Sequence, residues 1–354
     1  MADEQRSSPQ RAAFYSRLAE RGLAPLWEVL KGLQPAEPRP PETAVIWHYS
    51  EIRPMLMEAG HLISAAEAER RVLILQNPAL KGQSPPRITH SLFAGFQLIM
   101  PGEIARSHRH SQSALRFIVE GEGAYTTVDG DRTRMCPGDF VITPSWTWHD
   151  HGNQSGHPMI WLDGLDIPLV DLLNAVFFEK YGEEQFPAKP EGDSAVRFGN
   201  GLMPLEFNQV NLQSPILNYP YERTRDALEA MRRQGDVDDC HGFKMRYVNP
   251  LTGDWAMPTI GTTIQLLPRA FTGTAYRSSD STVFVVVEGA GRTISAGEKF
   301  EWREHDVFVV PSWQEYRHEA LDESVLFSFS DRPVQEKLGL WRECRAGFAS
   351  QRGS

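Results

Sequence analysis

Two short motifs carry the chemistry of this sequence: His108-Arg109-His110 and His149-Asp150-His151. Side chains alternate between faces on an extended strand, so His108 and His110 point the same way, as do His149 and His151. Two such pairs on facing strands converge inside a β-barrel, where neutral imidazoles make a transition-metal site. A lone histidine is ordinarily a hydrogen-bonded core or surface residue; four of them in two H-x-H pairs point to a metal. If the strand stays regular past His110, then Gln112, Arg116 and Ile118 share its inward face. A buried guanidinium is costly unless it meets an anion. Beside a metal, that anion is a substrate carboxylate bound through two oxygens. The competing reading for Arg116 is an internal ion pair with a protein carboxylate such as Asp163.

The elements that must position these residues are short β-rich runs broken by Gly and Pro. Examples are 92–100, 116–119, 124–128, 140–143 and 159–162, with turns at Asp129-Gly130-Asp131 and Pro137-Gly138-Asp139. Their spacing predicts antiparallel barrels of the jelly-roll kind. The run Gln97–Gly123 lines up with Gln265–Gly291, and Gly138–His151 with His305–His318, so the barrel is read as duplicated. In the second copy Tyr276, Ser278 and Tyr316 stand opposite His108, His110 and His149, and Phe284 stands opposite Arg116. One metal per chain is therefore expected, in the first barrel, with the second barrel structural. Residues 1–42 are read as a helical arm ending in the proline-rich PAEPRPPE, with Pro25 breaking its helix. Residues 43–170 are read as the metal-binding domain and 171–241 as a linker with helices at 170–181 and 222–233. The degenerate copy spans 242–335, and 336–354 is read as a tail.

With 46 acidic against 36 basic residues, the formal net charge of −10 argues against nucleic acid as a partner. No apolar run approaches the ~20 residues of a membrane span. The polar amino terminus lacks a secretory pattern, and three scattered cysteines form no disulfide framework, so a cytoplasmic protein is expected.

Gly102-x5-His108-x-His110, followed by Gly138-x5-Pro144-x-Trp146-x2-His149-x3-Asn153, resembles the two cupin motifs. Two departures stand out. Ala114 and Leu115 occupy the positions where most cupins carry a glutamate ligand, and Trp146 replaces a usual glycine. A carboxylate-free, three-histidine site is similar to that of the bicupin ring-cleaving dioxygenases. HRHSQSALRFIVEGEGAY and TPSWTWHDHGN look most like the gentisate 1,2-dioxygenase family. The resemblance implies an all-β dominated bicupin holding one Fe(II) on His108, His110 and His149. It also implies that gentisate plus O2 is converted to maleylpyruvate, with the aromatic acid chelated through its carboxylate and 2-hydroxyl.

Arg116 is then expected to clamp the carboxylate. Gln97 is read as a substrate contact, and Arg71 as a second anion contact or a solvated strand-end charge. His151 would hydrogen-bond O2 or the ring hydroxyl, or carry a proton. Asp163 would meet the 5-hydroxyl or orient a ligand histidine. Two substrate alternatives are salicylate and 1-hydroxy-2-naphthoate, to be decided by residues such as Phe93, Gln97 and Asp163. A non-catalytic ligand-binding bicupin is the alternative of another class. A homotetramer is expected, with a dimer as the other reading.

Overall fold

The computed structural model describes residues 8–207, 212–235 and 237–346. The chain forms two compact units, residues 1–39 and 40–354. In the first, Ser8 caps the helix Pro9–Ala19, and Pro25 starts a second helix, Leu26–Leu33, as the sequence predicts. Tyr15 and Arg11 both reach Glu28 at 2.5 Å, and Trp27 donates to the Tyr15 hydroxyl, so the two helices are tied to each other.

The second unit is built from four antiparallel sheets arranged as two equivalent pairs. In the first barrel one sheet runs 178–180, 104–110, 149–153, 124–128, 131–134. In the second barrel the matching sheet runs 343–345, 276–278, 316–320, 290–295, 298–303. The duplication therefore extends beyond the barrels. Strand Phe178–Lys180 has its counterpart in Glu343–Arg345, and helix Ile167–Leu172 has its counterpart in Arg332–Lys337. Residues 343–345, read as part of a tail, thus form an edge strand of the second barrel. The helix expected at 170–181 ends early, because Asn174 adopts φ +53° in the left-handed region and stops it. The chain then pairs as a strand, placing Phe178 opposite His110 and Lys180 opposite His108.

Each barrel borrows an edge strand from the other half. Val45–Trp47 pairs with Val307–Val310 of the second barrel, and Asn218–Tyr219 pairs with Phe140–Thr143 of the first. The helix that follows each borrowed strand repeats the pattern Tyr-x3-Arg. From helix Tyr49–Leu62, the Tyr49 hydroxyl (2.8 Å) and Arg53 (2.6 Å) grip Glu120. From helix Tyr221–Gln234, Tyr221 and Arg225 grip Glu288 in the same way. The backbone N–H of Tyr49 donates to Asp306 (2.8 Å), and that of Tyr221 donates to Asp139 (2.9 Å), so each helix start is anchored on the opposite barrel. Strand parity separates a shared core from the two barrel interiors. Phe117, Phe140, Val283, Val285, Phe327 and Phe329 form a large cluster common to both barrels. Ile99, Ile118, Val141 and Trp161 line the inside of the first barrel, and Leu267, Phe284 and Tyr316 the inside of the second. Buried aromatic and aliphatic side chains of this kind contribute roughly 1.5–3 kcal/mol each, which fixes the strands that carry the histidines.

Candidate metal centre

His108 and His110 come from the strand Ile104–His110, and His149 from the strand His149–Asn153 beside it, with His108 in register with His149. Their rings meet: centroids are 4.3 Å apart for His108 and His149, 4.8 Å for His110 and His149, and 5.4 Å for His108 and His110. One nitrogen of each lies within 4.8 Å of the others, a spacing that admits one ion. No carboxylate joins this cluster among the described residues.

The donor set fits a metal. Nδ1 of His110 lies 2.9 Å from the Gln112 carbonyl and Nδ1 of His149 lies 3.0 Å from the Thr147 carbonyl. Donation to those carbonyls leaves each Nε2 with a free lone pair, the usual arrangement for a ligating imidazole. Burial pushes His108 down to about 3 and His110 down to about 4, and holds His149 well below the ordinary range. All three rings are therefore neutral at physiological pH, as metal binding requires.

The loop before His149 is held by stacking. Arg109, on the outer face between two of the histidines, lies 4.5 Å from the Trp146 ring centroid and 4.4 Å from that of Trp148. It also pairs with Glu179 at 2.5 Å. Trp146 adopts φ +62°, which explains why glycine is usual here and shows that this chain keeps the turn while gaining a stacking partner for Arg109. Asp150, between the two other histidines, is buried and accepts from the Phe186 N–H at 2.9 Å.

Arg116 does face the barrel interior, but by a different route from the one expected. The strand breaks after His110, and Arg116 belongs to Ala114–Glu120 in the opposite sheet, directly opposite Asp163. The two readings of this residue meet here. Arg116 Nε lies 3.6 Å from Asp163 Oδ1, yet that nitrogen is buried with no hydrogen-bond partner. Burial raises Asp163 to about 6 against the pull of Arg116, and its Oδ1 accepts from Trp161 Nε1 at 2.9 Å. Among the described residues, Asp163 contacts Arg116 and Trp161. His151 is buried against Trp161, and both of its ring nitrogens lack partners. Gln97 is buried, on the same strand face as Ile99.

Arg71 is a correction. Its guanidinium is bonded to Glu103 at 2.7 and 2.9 Å and to the Ile63 carbonyl, away from the histidines. Its neighbour Arg70 instead lies against the histidines. Arg70 Nη2 lies 2.7 Å from His108 Nδ1, and burial together with repulsion from Arg116 brings its guanidinium down to about 10. The signal was the Arg70-Arg71 doublet, which follows Glu69 with its φ of +53°. A cavity of about 550 Å³ opens against His108, lined also by Arg70, Ser107, Phe178, Lys180 and Glu184. That volume lies in the range of small-molecule sites.

A family model described as Cupin domain matches residues 95–165. Over 95% of its length the chain is 56% identical to gentisate 1,2-dioxygenase 1 of Aquipseudomonas alcaligenes, covering 96% of that protein. It is 33% identical to a 1-hydroxy-2-naphthoate 1,2-dioxygenase of Nocardioides sp., covering 94% of this chain and 87% of that one. Among solved structures, salicylate 1,2-dioxygenase from Pseudoaminobacter salicylatoxidans with a gentisate adduct is similar, with a TM-score of 0.91 and 36% identity. That match spans 97% of this chain and 95% of the other.

Proposed function

Because the chain belongs to the gentisate 1,2-dioxygenase family, we propose that it cleaves the ring of gentisate with O2 to give maleylpyruvate. The cofactor in this reading is one Fe(II) per chain, held by His108, His110 and His149. The observation that carries the reading is the carboxylate-free cluster of three neutral imidazoles with a buried arginine nearby. When bound, the ferrous ion would supply a dication with open positions, able to take an anionic hydroxy-acid and O2 together and to relay electrons between them.

The chain's own residues do the rest. Arg116, whose Nε has no hydrogen-bond partner, offers a charge-assisted contact to the substrate carboxylate. Asp163 opposes its charge and keeps it in place. Arg70 is the second cation. Its Nη2 lies 2.7 Å from His108 Nδ1, which also faces the Arg106 carbonyl at 3.3 Å; with the ring proton on Nδ1, donated to that carbonyl, Nε2 is free as a ligand and the Arg70 guanidinium is available to the substrate carboxylate. His151 is neutral, with one N–H and one lone pair unused, and so can donate to a substrate hydroxyl or to O2 and move a proton between them. Gln97 is a contact to the ring substituents.

Reconstitution with Fe(II) under anaerobic conditions, then addition of gentisate and O2, tests this reading. Oxygen uptake at one equivalent per gentisate with the absorbance of a conjugated ring-fission product is expected. An inert iron-loaded protein refutes it. A second reading, salicylate or 1-hydroxy-2-naphthoate as the substrate, is favoured by the relatives of those names, and the same assay run on the three acids decides between them. In this account the enzyme is a cytoplasmic homotetramer.

A further inference from the structure

The second barrel has lost its metal ligands, yet its interior is not inert. Gln265 and Leu267 share a strand face, and Leu267 packs with Phe284 and Tyr316 inside the barrel while Ile264 and Leu266 face the other core. Gln265 therefore points inward. It is buried, and neither its amide nitrogen nor its oxygen has a hydrogen-bond partner. His318, also buried, has an unpartnered Nε2.

Its tautomer can be worked out. Trp302 Nε1, a donor only, gives its proton to Thr293 Oγ1 at 3.0 Å, and Thr293 Oγ1 lies 2.8 Å from His318 Nδ1. The Thr293 hydroxyl satisfies both contacts by donating to Nδ1, which leaves the His318 proton on Nε2 as a donor facing the barrel. His241, buried with its Nδ1 unpartnered, stacks edge-on against Tyr276 at 4.4 Å. Tyr276, Tyr316 and Phe284 complete an aromatic wall, with Tyr316 5.1 Å and Phe284 5.0 Å from the His318 ring.

The cation comes from Lys244, in register with Gln265 on the neighbouring strand and so on the same face. It makes no hydrogen bond or ion pair among the described residues. Burial lowers it to about 8, and burial, followed by the Lys244 charge, depresses both His241 and His318. The carboxylate that most offsets it, Asp280, accepts from Trp341 Nε1 at 3.0 Å.

Two of these residues have meaning in the duplication. Gln265 and His318 occupy the positions of Gln97 and His151, the polar contacts read for the first barrel, whereas all three ligand positions have changed. The copy has kept polar groups suited to a small molecule and discarded the metal. We propose that the second barrel binds a small carboxylate anion between the Lys244 ammonium, the Gln265 amide and His318 Nε2, against the wall of Tyr276, Tyr316 and Phe284. The anion is either an aromatic acid like the substrate or a short aliphatic one.

Equilibrium dialysis of the full-length, metal-free chain against radiolabelled benzoate, with radiolabelled acetate as a second arm, tests this. Lys244→Met and Gln265→Leu should each lose one equivalent of bound anion per chain relative to the parent. Arg116→Met, which addresses the first barrel, should leave that equivalent in place. Benzoate alone retained assigns an aromatic ligand; both retained assigns the carboxylate alone. An unchanged equivalent count in both second-barrel variants overturns the proposal, as does no binding of either anion. If the variants do not fold, crystals of the parent chain soaked in 4-bromobenzoate decide it. An anomalous bromine peak beside Lys244 supports the site, and ordered water alone beside Lys244 overturns it.

Discussion

Replacing Arg116 by methionine separates the two functions that the first barrel combines, holding the metal and holding the acid. Arg116 is buried and sits 3.6 Å from Asp163, where two unit charges attract by about 4–5 kcal/mol at an effective dielectric of ~20. Removal of the guanidinium need not unfold the chain. Asp163, already raised to about 6 by burial, rises further once its counter-charge is gone and takes a proton at neutral pH. What is lost is the contact to the substrate carboxylate. A hydrogen bond to a charged group is worth roughly 1.5–3 kcal/mol, or about ten- to 150-fold in affinity. Arg116 touches none of the three histidines, so iron content should stay at the parent level. The assay is an anaerobic titration of the iron-loaded variant with gentisate, alongside metal analysis of the same sample. Substrate affinity within twofold of the parent, or iron and affinity falling together, refutes the carboxylate role.

Other perturbations follow from the same geometry. His149→Ala should abolish iron retention while Tyr316→Phe leaves it intact; equal losses in dialysis against a chelator would overturn the assignment of the metal to one barrel. Arg109→Leu removes two stacking contacts worth about 0.5–1 kcal/mol each, and should lower the denaturation midpoint and weaken Co(II) binding, with Arg109→Lys partly restoring both; unchanged Co(II) affinity would show that the clamp does not position the histidines. A Cβ on Gly152 would stand 2.3 Å from the Tyr125 hydroxyl, so Gly152→Ala should cost roughly 1–3 kcal/mol in urea unfolding; an unaltered midpoint would show that Tyr125 yields freely. Asp166 accepts from the Ser113 N–H (2.9 Å) and from Thr259 (2.6 Å), and burial raises it to about 6, above an unfolded value near 4. The folded chain thus binds more protons than the unfolded one between pH ~4 and ~6, and this contribution to stability is lost as pH rises through that window. Asp166→Asn should therefore gain stability relative to the parent from pH 4 to 6 and hold that gain above pH 7; a pH-independent difference contradicts the shift.

What could be read in the sequence was what depends on local spacing. The H-x-H pairs name the ligands because strand parity alone orients them, and the turn glycines Gly102 and Gly138 take the φ of +78° and +85° that their cupin spacing anticipates. The duplication was visible in the barrel strands. Its full extent was not, because the borrowed edge strands and the Tyr-x3-Arg helices act across the two halves and repeat too few residues to align. Helix Tyr49–Leu62 was missed for a local reason: Pro54 lies inside it, and proline ordinarily argues against a helix interior. Arg116 was placed inward by extending a strand that in fact ends at His110; the conclusion survived because Ala114–Glu120 starts a new strand with the same parity. Arg71 failed where parity has no regular strand to work on, two residues after Glu69 with its φ of +53°.

The most direct test of the account is a crystal structure of the iron-loaded chain with gentisate, grown without oxygen. The account predicts one iron in the first barrel, bound by His108, His110 and His149, with the substrate carboxylate and 2-hydroxyl completing its sphere. An aspartate or glutamate of the chain on the metal, or gentisate bound away from it, would contradict the account.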